Sequence, residues 1–129
     1  MEVKFNFDTI IFYVQDVQLL KSFYTGVFNF KVLEEYESSW TLLQVGNCKI
    51  GLHKIGKEYW DESKGSFKFD NNTKMVFEIN EDINEMRALF LQQNVEMRQV
   101  KTFDNYDYWL CDGLDPEGNV FQLKQKKSV

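Results

Sequence analysis

His53 is the only histidine of the chain and the side chain best suited to acid–base chemistry near neutral pH. Lys74 and Glu78 can also exchange a proton, and they share one face if residues 74–79 form a β-strand. The serines and cysteines form no recognisable nucleophilic set, and no phosphate-binding loop, dinucleotide fingerprint or Cys-x-x-Cys pair is present. His53 is therefore either a general base or a partly exposed, water-bonded side chain near a strand end.

Aromatic residues make up 16% of the chain, with 12 phenylalanines among them. A phenylalanine-rich core accounts for most of these, which leaves tryptophan and tyrosine as candidates to line a pocket. Flat aromatic walls suit a planar organic ligand and, together with acidic groups, a cationic one. Residues 104–117 hold five acidic residues and no basic one. That stretch is either a solvated rim or a negative field that attracts cations.

Length and charge exclude several classes of protein. A chain of 129 residues can form one domain with a sizeable core. Its net charge of −5 argues against a nucleic-acid partner, because phosphate binding needs clustered Lys and Arg. Cys48 and Cys111 lie in apolar, strand-like runs, so we expect buried free thiols in a reducing cytoplasm. No signal peptide or membrane-spanning run is evident, so a membrane partner is not expected.

The hydrophobic pattern of the first half predicts one strand, a helix and three further strands. Apolar alternation predicts a strand over residues 5–14, and Asp16 is placed to cap the helix that follows. Leu20, Phe23 and Tyr24 recur at helical spacing. Strands are predicted over 31–36, 40–45 and 48–53, with Gly46-Asn47 as the hairpin turn between the last two.

The second half repeats this order of elements. A strand is predicted over 74–79 and a helix over 82–93, with Asn94 ending the helix in the left-handed conformation. Strands are then predicted over 97–103, 106–110 and 120–124. The segment Asp115-Pro-Glu-Gly-Asn119 supplies a turn before the last strand. The chain is thus predicted to be an α+β protein of two tandem βαβββ repeats that enclose a groove.

The connection between the repeats is long for a passive loop. Residues 56–72 carry four aromatic side chains, including Trp60, and are predicted to fold back over the groove as a lid. The chain is therefore read as a single domain over 1–129, with repeat one at about 5–55 and repeat two at about 73–125.

Two motifs in the correct order resemble the vicinal oxygen chelate superfamily, which contains glyoxalase I, bleomycin-resistance proteins and extradiol dioxygenases. The first comprises Asp16, Phe23-Tyr24 and the strand after Phe30. The second is Asp115-Pro-Glu-Gly-Asn119 followed by Val-Phe-Gln-Leu123. The resemblance covers essentially the whole chain. It implies an incomplete barrel with a central groove, and pockets that form across a homodimer.

The resemblance also implies where a metal ion would bind. Its four ligand positions fall on Thr9, Gly51, Lys74 and Gln122, where metal-dependent relatives carry His, Glu or Gln. Only Gln122 could coordinate, because threonine is a weak ligand, glycine has no side chain and a protonated lysine repels the ion. A metal site would otherwise require His53, Glu78 and Gln122 to converge. We therefore expect no metal and no cofactor.

The main hypothesis is a metal-independent binding protein, nearest in character to the bleomycin-resistance branch, that sequesters a planar or cationic organic ligand such as an antibiotic. The alternative is a glyoxalase-like lyase or isomerase, or a dioxygenase-type enzyme, that uses a divalent metal or an acid–base residue in the same groove. No catalytic residue is assigned. The residues expected to line the groove are Thr9, Tyr13, Trp40, His53, Trp60, Lys74, Glu78, Tyr108 and Gln122.

Overall fold

A computed structural model describes residues 2–4, 6–56 and 73–128. The chain divides into two compact units, Met1–Phe67 and Lys68–Val129, and each is described by itself. The predicted lid and Trp60 fall in 57–72, outside the described residues. A single domain over 1–129 stays a prediction.

Up to residue 56, where its described residues end, the first unit is a four-stranded mixed sheet with one helix. The sheet has the order β1-β4-β3-β2, in which β1 is parallel to β4 and the other neighbours are antiparallel. A parallel pair needs a crossover connection, and the helix with the two intervening strands supplies it. The elements are β1 (Thr9–Val14), α1 (Val17–Val27), β2 (Lys31–Tyr36), β3 (Trp40–Val45) and β4 (Cys48–Lys54).

Helix α1 begins at an acidic cap and buries one apolar face. The Asp16 carboxylate accepts a hydrogen bond from the Leu19 amide at 3.0 Å, which satisfies a backbone donor that the helix leaves unpaired. Leu20 and Tyr24 are buried in the core of the unit. The Tyr24 ring stacks on Phe30 with 6.3 Å between centroids, so the chain leaving the helix is fixed before β2 begins.

The second unit has the same plan. Its sheet has the order β5-β8-β7-β6, with β5 parallel to β8 and the other neighbours antiparallel. Its elements are β5 (Lys74–Ile79), α2 (Ile83–Gln92), β6 (Glu96–Met97), β7 (Tyr108–Leu114) and β8 (Val120–Lys126).

Helix α2 is held at both ends and packs on β8. The Asp82 carboxylate accepts hydrogen bonds from two backbone amides of the first turn. Phe90 meets Phe121 edge to face at 6.0 Å between centroids, and both rings are buried. Asn94 follows the helix with φ of 63°, the left-handed conformation that the sequence predicts.

The predicted α+β fold of two βαβββ repeats is confirmed, and the bounds of four strands are wrong, among them β8, which continues to Lys126 and does not end at residue 124. Strand β1 begins at Thr9, not near residue 5. The predicted strand over 97–103 is only β6 and one bridge between Lys101 and Leu110. Strand β7 begins two residues later than predicted and continues to Leu114, because its pairing with β8 runs up to the Asp115 turn.

The two cysteines differ in burial, which corrects one prediction. Cys111 is buried on β7, and burial raises the pKa of its thiol. Cys48 is exposed because it stands at the hairpin end of β4, opposite Val45. In the described part of the chain, neither helix has the length and apolar character needed to cross a membrane.

Candidate functional site on the open faces of the two sheets

The candidate site begins with the face of the first sheet that lies opposite α1. Alternation along β1 turns Ile10, Phe12 and Val14 towards one side and Thr9, Ile11 and Tyr13 towards the other. The pairing register places Tyr13 beside His53, and His53 beside Trp40. Three neighbouring strands therefore each contribute one aromatic side chain at the same level of the sheet.

These three residues, Tyr13, His53 and Trp40, form an aromatic row. The ring centroids of Tyr13 and His53 are 5.2 Å apart, and those of His53 and Trp40 are 6.0 Å apart. Tyr13 is 60% exposed and His53 is also exposed, so the row presents apolar ring surface outward. Exposed rings held at fixed positions by strand backbone can stack on a planar ligand.

The histidine of the row is oriented by a backbone carbonyl. Nδ1 of His53 lies 2.8 Å from the carbonyl oxygen of Lys54. A carbonyl only accepts, so Nδ1 must carry the proton, and we assign the neutral ring to that tautomer. Nε2 is then the acceptor nitrogen of the row, able to receive a hydrogen bond or a proton.

The indole of Trp40 covers Gly51, the second predicted ligand position. A Cβ atom placed on Gly51 would lie 2.4 Å from Cη2 of Trp40, which is far inside ordinary contact. Nε1 of Trp40 donates to the Glu34 carboxylate at 3.2 Å and holds the ring in this place. Any larger side chain at position 51 would have to displace the indole.

Thr9, the first predicted ligand position, is engaged by its own neighbour. Its hydroxyl donates to the Asp8 carboxylate at 2.6 Å, and the Lys49 ammonium lies 2.9 Å from the other oxygen of that carboxylate. The hydrogen bond from Thr9, followed by the hydrogen bond and charge of Lys49, holds the pKa of Asp8 below its ordinary value. Thr9 thus acts here as a donor.

The open face of the second sheet carries a cluster formed by Lys74, Lys101, Asp112 and Gln122. One carboxylate oxygen of Asp112 lies 2.9 Å from the Lys74 ammonium and 4.0 Å from that of Lys101. The other oxygen accepts a hydrogen bond from the Gln122 side-chain amide at 2.9 Å. Asp112 is only 5% exposed, so this lysine–carboxylate cluster surrounds a buried negative charge.

The electrostatics of the cluster keep Asp112 ionised. Burial alone would raise the pKa of its carboxyl group, since desolvation penalises the charged form. The hydrogen bonds from Lys74 and Gln122, with the charges of Lys74 and Lys101, outweigh burial and hold that pKa below its ordinary value. The cluster therefore contains one anion and two cations near neutral pH.

The predicted ligand positions fall on equivalent places of the two repeats. Thr9 pairs with Lys49, two residues before Gly51 on β4. Lys74 pairs with Val120, likewise two residues before Gln122 on β8. The two repeats therefore have the same register at these positions, and their assignment as ligand positions stays a prediction.

The residues at these positions do not fit a metal ion. An indole fills the space over Gly51, the Lys74 position holds a cation, and the Gln122 amide is turned with its nitrogen towards Asp112. Within residues 2–4, 6–56 and 73–128, no three His, Cys, Asp or Glu side chains are close enough to hold an ion. We therefore assign no chemistry here to a bound metal.

The two remaining predicted residues of the second unit also lie on its open face. The Lys124 ammonium stands 4.0 Å from the centroid of the Tyr108 ring, a cation–π contact. Glu78 is exposed and pairs with Lys124 across β5 and β8. Each sheet thus collects the predicted residues of its own repeat. A groove shared by both repeats, and the convergence of His53 with Glu78 and Gln122, stay predictions.

Asp112 is the main residue of the site that the sequence did not single out. It was counted with the acidic stretch 104–117, whose members divide into two groups in the structure. Asp104 and Asp107 are exposed, whereas Asp112, Asp115 and Glu117 are buried. Neither a solvated rim nor an open negative field describes the buried carboxylates. The predicted turn at 115–119 could have revealed Asp112, because a strand that continues up to this turn includes residue 112.

The chain belongs to the glyoxalase/bleomycin resistance protein/dioxygenase superfamily, whose family model matches residues 6–123. Among curated proteins, none matches the chain significantly.

Solved structures support the same fold at low sequence identity. A lactoylglutathione lyase from Agrobacterium tumefaciens is 12% identical with a TM-score of 0.75, and the similarity covers 96% of each chain. A fosfomycin resistance protein from Listeria monocytogenes is 15% identical with a TM-score of 0.69, covering 98% of this chain and 96% of its own. A virulence protein from Salmonella typhimurium is 22% identical with a TM-score of 0.71, covering 98% and 100%.

Proposed function

We propose that the protein binds a planar organic ligand on the aromatic row without using a metal ion. The observation that carries the proposal is the row of Tyr13, His53 and Trp40 across three paired strands, in which Tyr13 and His53 are exposed and Trp40 is half-buried. Rings anchored on strands lose little conformational freedom when a ligand stacks on them, so more of the contact energy is available for binding. Stacking would hold the flat part of the ligand, and His53 Nε2 would accept a hydrogen bond from its edge.

The absence of a metal requirement follows from the residues at the ligand positions. A divalent ion needs several converging nitrogen or oxygen donors, and the indole over Gly51 and the ammonium of Lys74 supply none. The ligand is therefore held by ring surface and hydrogen bonds. This agrees with the bleomycin-resistance branch, where binding itself sequesters a drug, and antibiotic resistance is the role we propose.

The preference for a cationic ligand has weaker support than the preference for a planar one. It depended on the acidic stretch 104–117, in which Asp112, Asp115 and Glu117 are buried, and the carboxylates of Asp112 and Asp115 are engaged within the second unit. Glu34 remains beside the aromatic row, bonded to the Trp40 indole. A cation on the row would thus meet one carboxylate and the ring faces.

An enzyme that uses acid–base chemistry is the second candidate, and the tautomer of His53 favours it. Its unprotonated Nε2 is suited to removing a proton from a ligand on the row. The two candidates differ in the fate of the ligand. Mass spectrometry of a bound compound recovered after long incubation with the protein should return it unchanged if the protein only binds. A product that the His53→Gln variant does not form would establish the enzyme instead.

A thermal-shift screen with bleomycin and planar aromatic antibiotics tests the binding proposal. A ligand at 100 times its Kd should stabilise the folded protein by about 2.7 kcal/mol. Tyr13→Ala should abolish the shift, whereas Phe103→Ala, which removes an equally exposed ring outside the row, should keep it. No stabilisation by any planar compound, or equal shifts in both variants, would refute the proposal.

Members of this superfamily often form dimers as well as binding small ligands, and we propose a homodimer here. Strand β2 lies at an edge of the first sheet with exposed Leu33 and Tyr36, which suits a contact with a second copy. Sedimentation of the purified chain should give twice the mass of the monomer. A single species of monomer mass at micromolar concentration would contradict this.

A further inference from the structure

We propose that Lys74 and Lys101 form a binding site for an oxyanion, a carboxylate or phosphoryl group, on the open face of the second sheet. The site lies within one unit and does not depend on ligand binding at the aromatic row. It follows from the imbalance of charge in the lysine–carboxylate cluster. Two ammonium groups lie within 4.0 Å of the same Asp112 oxygen, and a single carboxylate can neutralise only one of them.

The two lysines interact differently with Asp112. Lys74 is 2.9 Å from Asp112 and donates one hydrogen bond to it. Lys101 is 4.0 Å away, which is close enough for attraction but too far for a hydrogen bond. Among the described residues this is the one ion pair of Lys101, so its three N–H donors are available to a ligand.

The two lysine side chains are exposed enough for a ligand to reach them from solvent. The side chain of Asp112 is 7% exposed, whereas those of Lys74 and Lys101 are 39% and 49% exposed. The buried carboxylate thus holds the Lys74 ammonium by a hydrogen bond, attracts the Lys101 ammonium, and leaves the outer sides of both open. An incoming oxyanion would meet donors already held in place, which lowers the entropic cost of binding.

The rest of this face leaves the positive charge of the cluster uncancelled. Lys124 lies on the same face as Gln122, two residues along β8, and its ammonium stands over the Tyr108 ring. Glu78, paired with Lys124, and Glu96, opposite Leu114, are exposed acids of this face, and Lys126, opposite Tyr108, is a further lysine. Four lysines therefore face three carboxylates, although the whole chain carries a net charge of −5. Local charge of this sign attracts anions and repels cations.

Inorganic phosphate and sodium acetate are the probes, titrated into the uniformly ¹⁵N-labelled full-length chain at constant ionic strength. Saturable shifts of the backbone amides of Lys101, Asp112 and Gln122 are expected with at least one of them. Stronger binding of phosphate would identify a phosphoryl group, and stronger binding of acetate a carboxylate. Sodium chloride at the same ionic strength is the control. Shifts that do not saturate, or that chloride reproduces, would overturn the proposal.

Three variants test the geometry. Lys101→Gln should weaken binding of the preferred probe about fivefold, the ratio expected for losing one partly exposed charged hydrogen bond. Lys127→Gln removes the same charge, but its ammonium lies over Trp109 on the opposite face, so its affinity should equal that of the native chain. Asp112→Asn should bind more tightly, because the competing carboxylate is neutralised. Equal affinities of the two lysine variants, or weaker binding by a folded Asp112→Asn protein, would contradict the site.

Discussion

Replacing Gly51 by alanine tests whether the Trp40 indole occupies the predicted ligand position. The new Cβ would lie 2.4 Å from Cη2 and 2.8 Å from Cζ3 of Trp40, about 1 Å short of ordinary contact. Forcing a methyl group into such a place costs about 1–3 kcal/mol. Alanine also restricts the unfolded chain, which returns about 0.4–1 kcal/mol. We expect Gly51→Ala to lower the free energy of unfolding by about 1–2 kcal/mol.

The same substitution should have the opposite sign once the indole is removed. In a Trp40→Ala background the indole contact is gone, and the remaining close neighbour, Cγ1 of the exposed Ile11 at 3.2 Å, has room to shift. Gly51→Ala should then stabilise the protein by about 0.5 kcal/mol. The coupling free energy of the double-mutant cycle is then about 2 kcal/mol, and the lost hydrogen bond to Glu34 cancels in the cycle. Gly26→Ala is the control, because its Cβ meets open space and should stabilise α1 in either background.

Urea denaturation followed by circular dichroism measures all of these free energies, provided that the m-values agree between variants. A coupling free energy near zero would refute the placement of the indole. It would mean that a side chain at position 51 fits beside Trp40, and position 51 could then accept a ligand residue after all.

Three further predictions follow from the contacts. Asp112 has a lowered pKa in the folded chain, so its carboxylate stabilises the fold at pH values above the ordinary carboxyl pKa. This stabilisation is lost as the pH falls through the lowered pKa. Urea titrations between pH 2 and 7 should show the loss in the native chain and not in Asp112→Asn. Tyr24→Ala should lower the free energy of unfolding by about 3–5 kcal/mol, because Tyr24 is 1% exposed. Tyr13→Ala should lower it by under about 1 kcal/mol, because Tyr13 is exposed. Similar losses in the two variants would place Tyr13 in the core. Gln125→Ala should lower the free energy of unfolding by about 1 kcal/mol in the same assay, because the Gln125 side-chain oxygen accepts a hydrogen bond from the Ile83 amide, the first of α2, at 2.8 Å. No change would mean that water replaces the Gln125 side chain as the acceptor.

Local sequence signals predicted most of the fold because the contacts behind them are short-range. Asp16 caps α1 through an amide three residues away, and Asn94 turns the chain directly after α2. Strands β2, β3 and β4 were predicted almost to the residue, since alternation and the Gly46 turn fix their ends. Residues 97–103 were misassigned because β6 pairs for only two residues before the chain leaves the regular ladder.

The candidate site was predicted less completely because its chemistry depends on distant pairs. Asp112 accepts a hydrogen bond from Lys74, which is 38 residues away in sequence, and the composition of the stretch 104–117 gave no sign of that partner. The indole over Gly51 likewise depends on the pairing of β3 with β4 and on the rotamer of Trp40. The sequence did name Tyr13, His53 and Trp40 among the residues expected to line the groove, and the register places these three side by side on one face of the first sheet.

Elemental analysis of the purified chain after exhaustive dialysis tests the central claim most directly. An indole in place of one ligand and an ammonium in place of another should leave well under about 0.1 transition-metal ions per chain, since a site needs three or four donors. Stabilisation by a planar ligand should then be unchanged by a chelator. Near-stoichiometric nickel, zinc, iron or manganese, lost together with ligand binding on chelation, would contradict metal-independent binding.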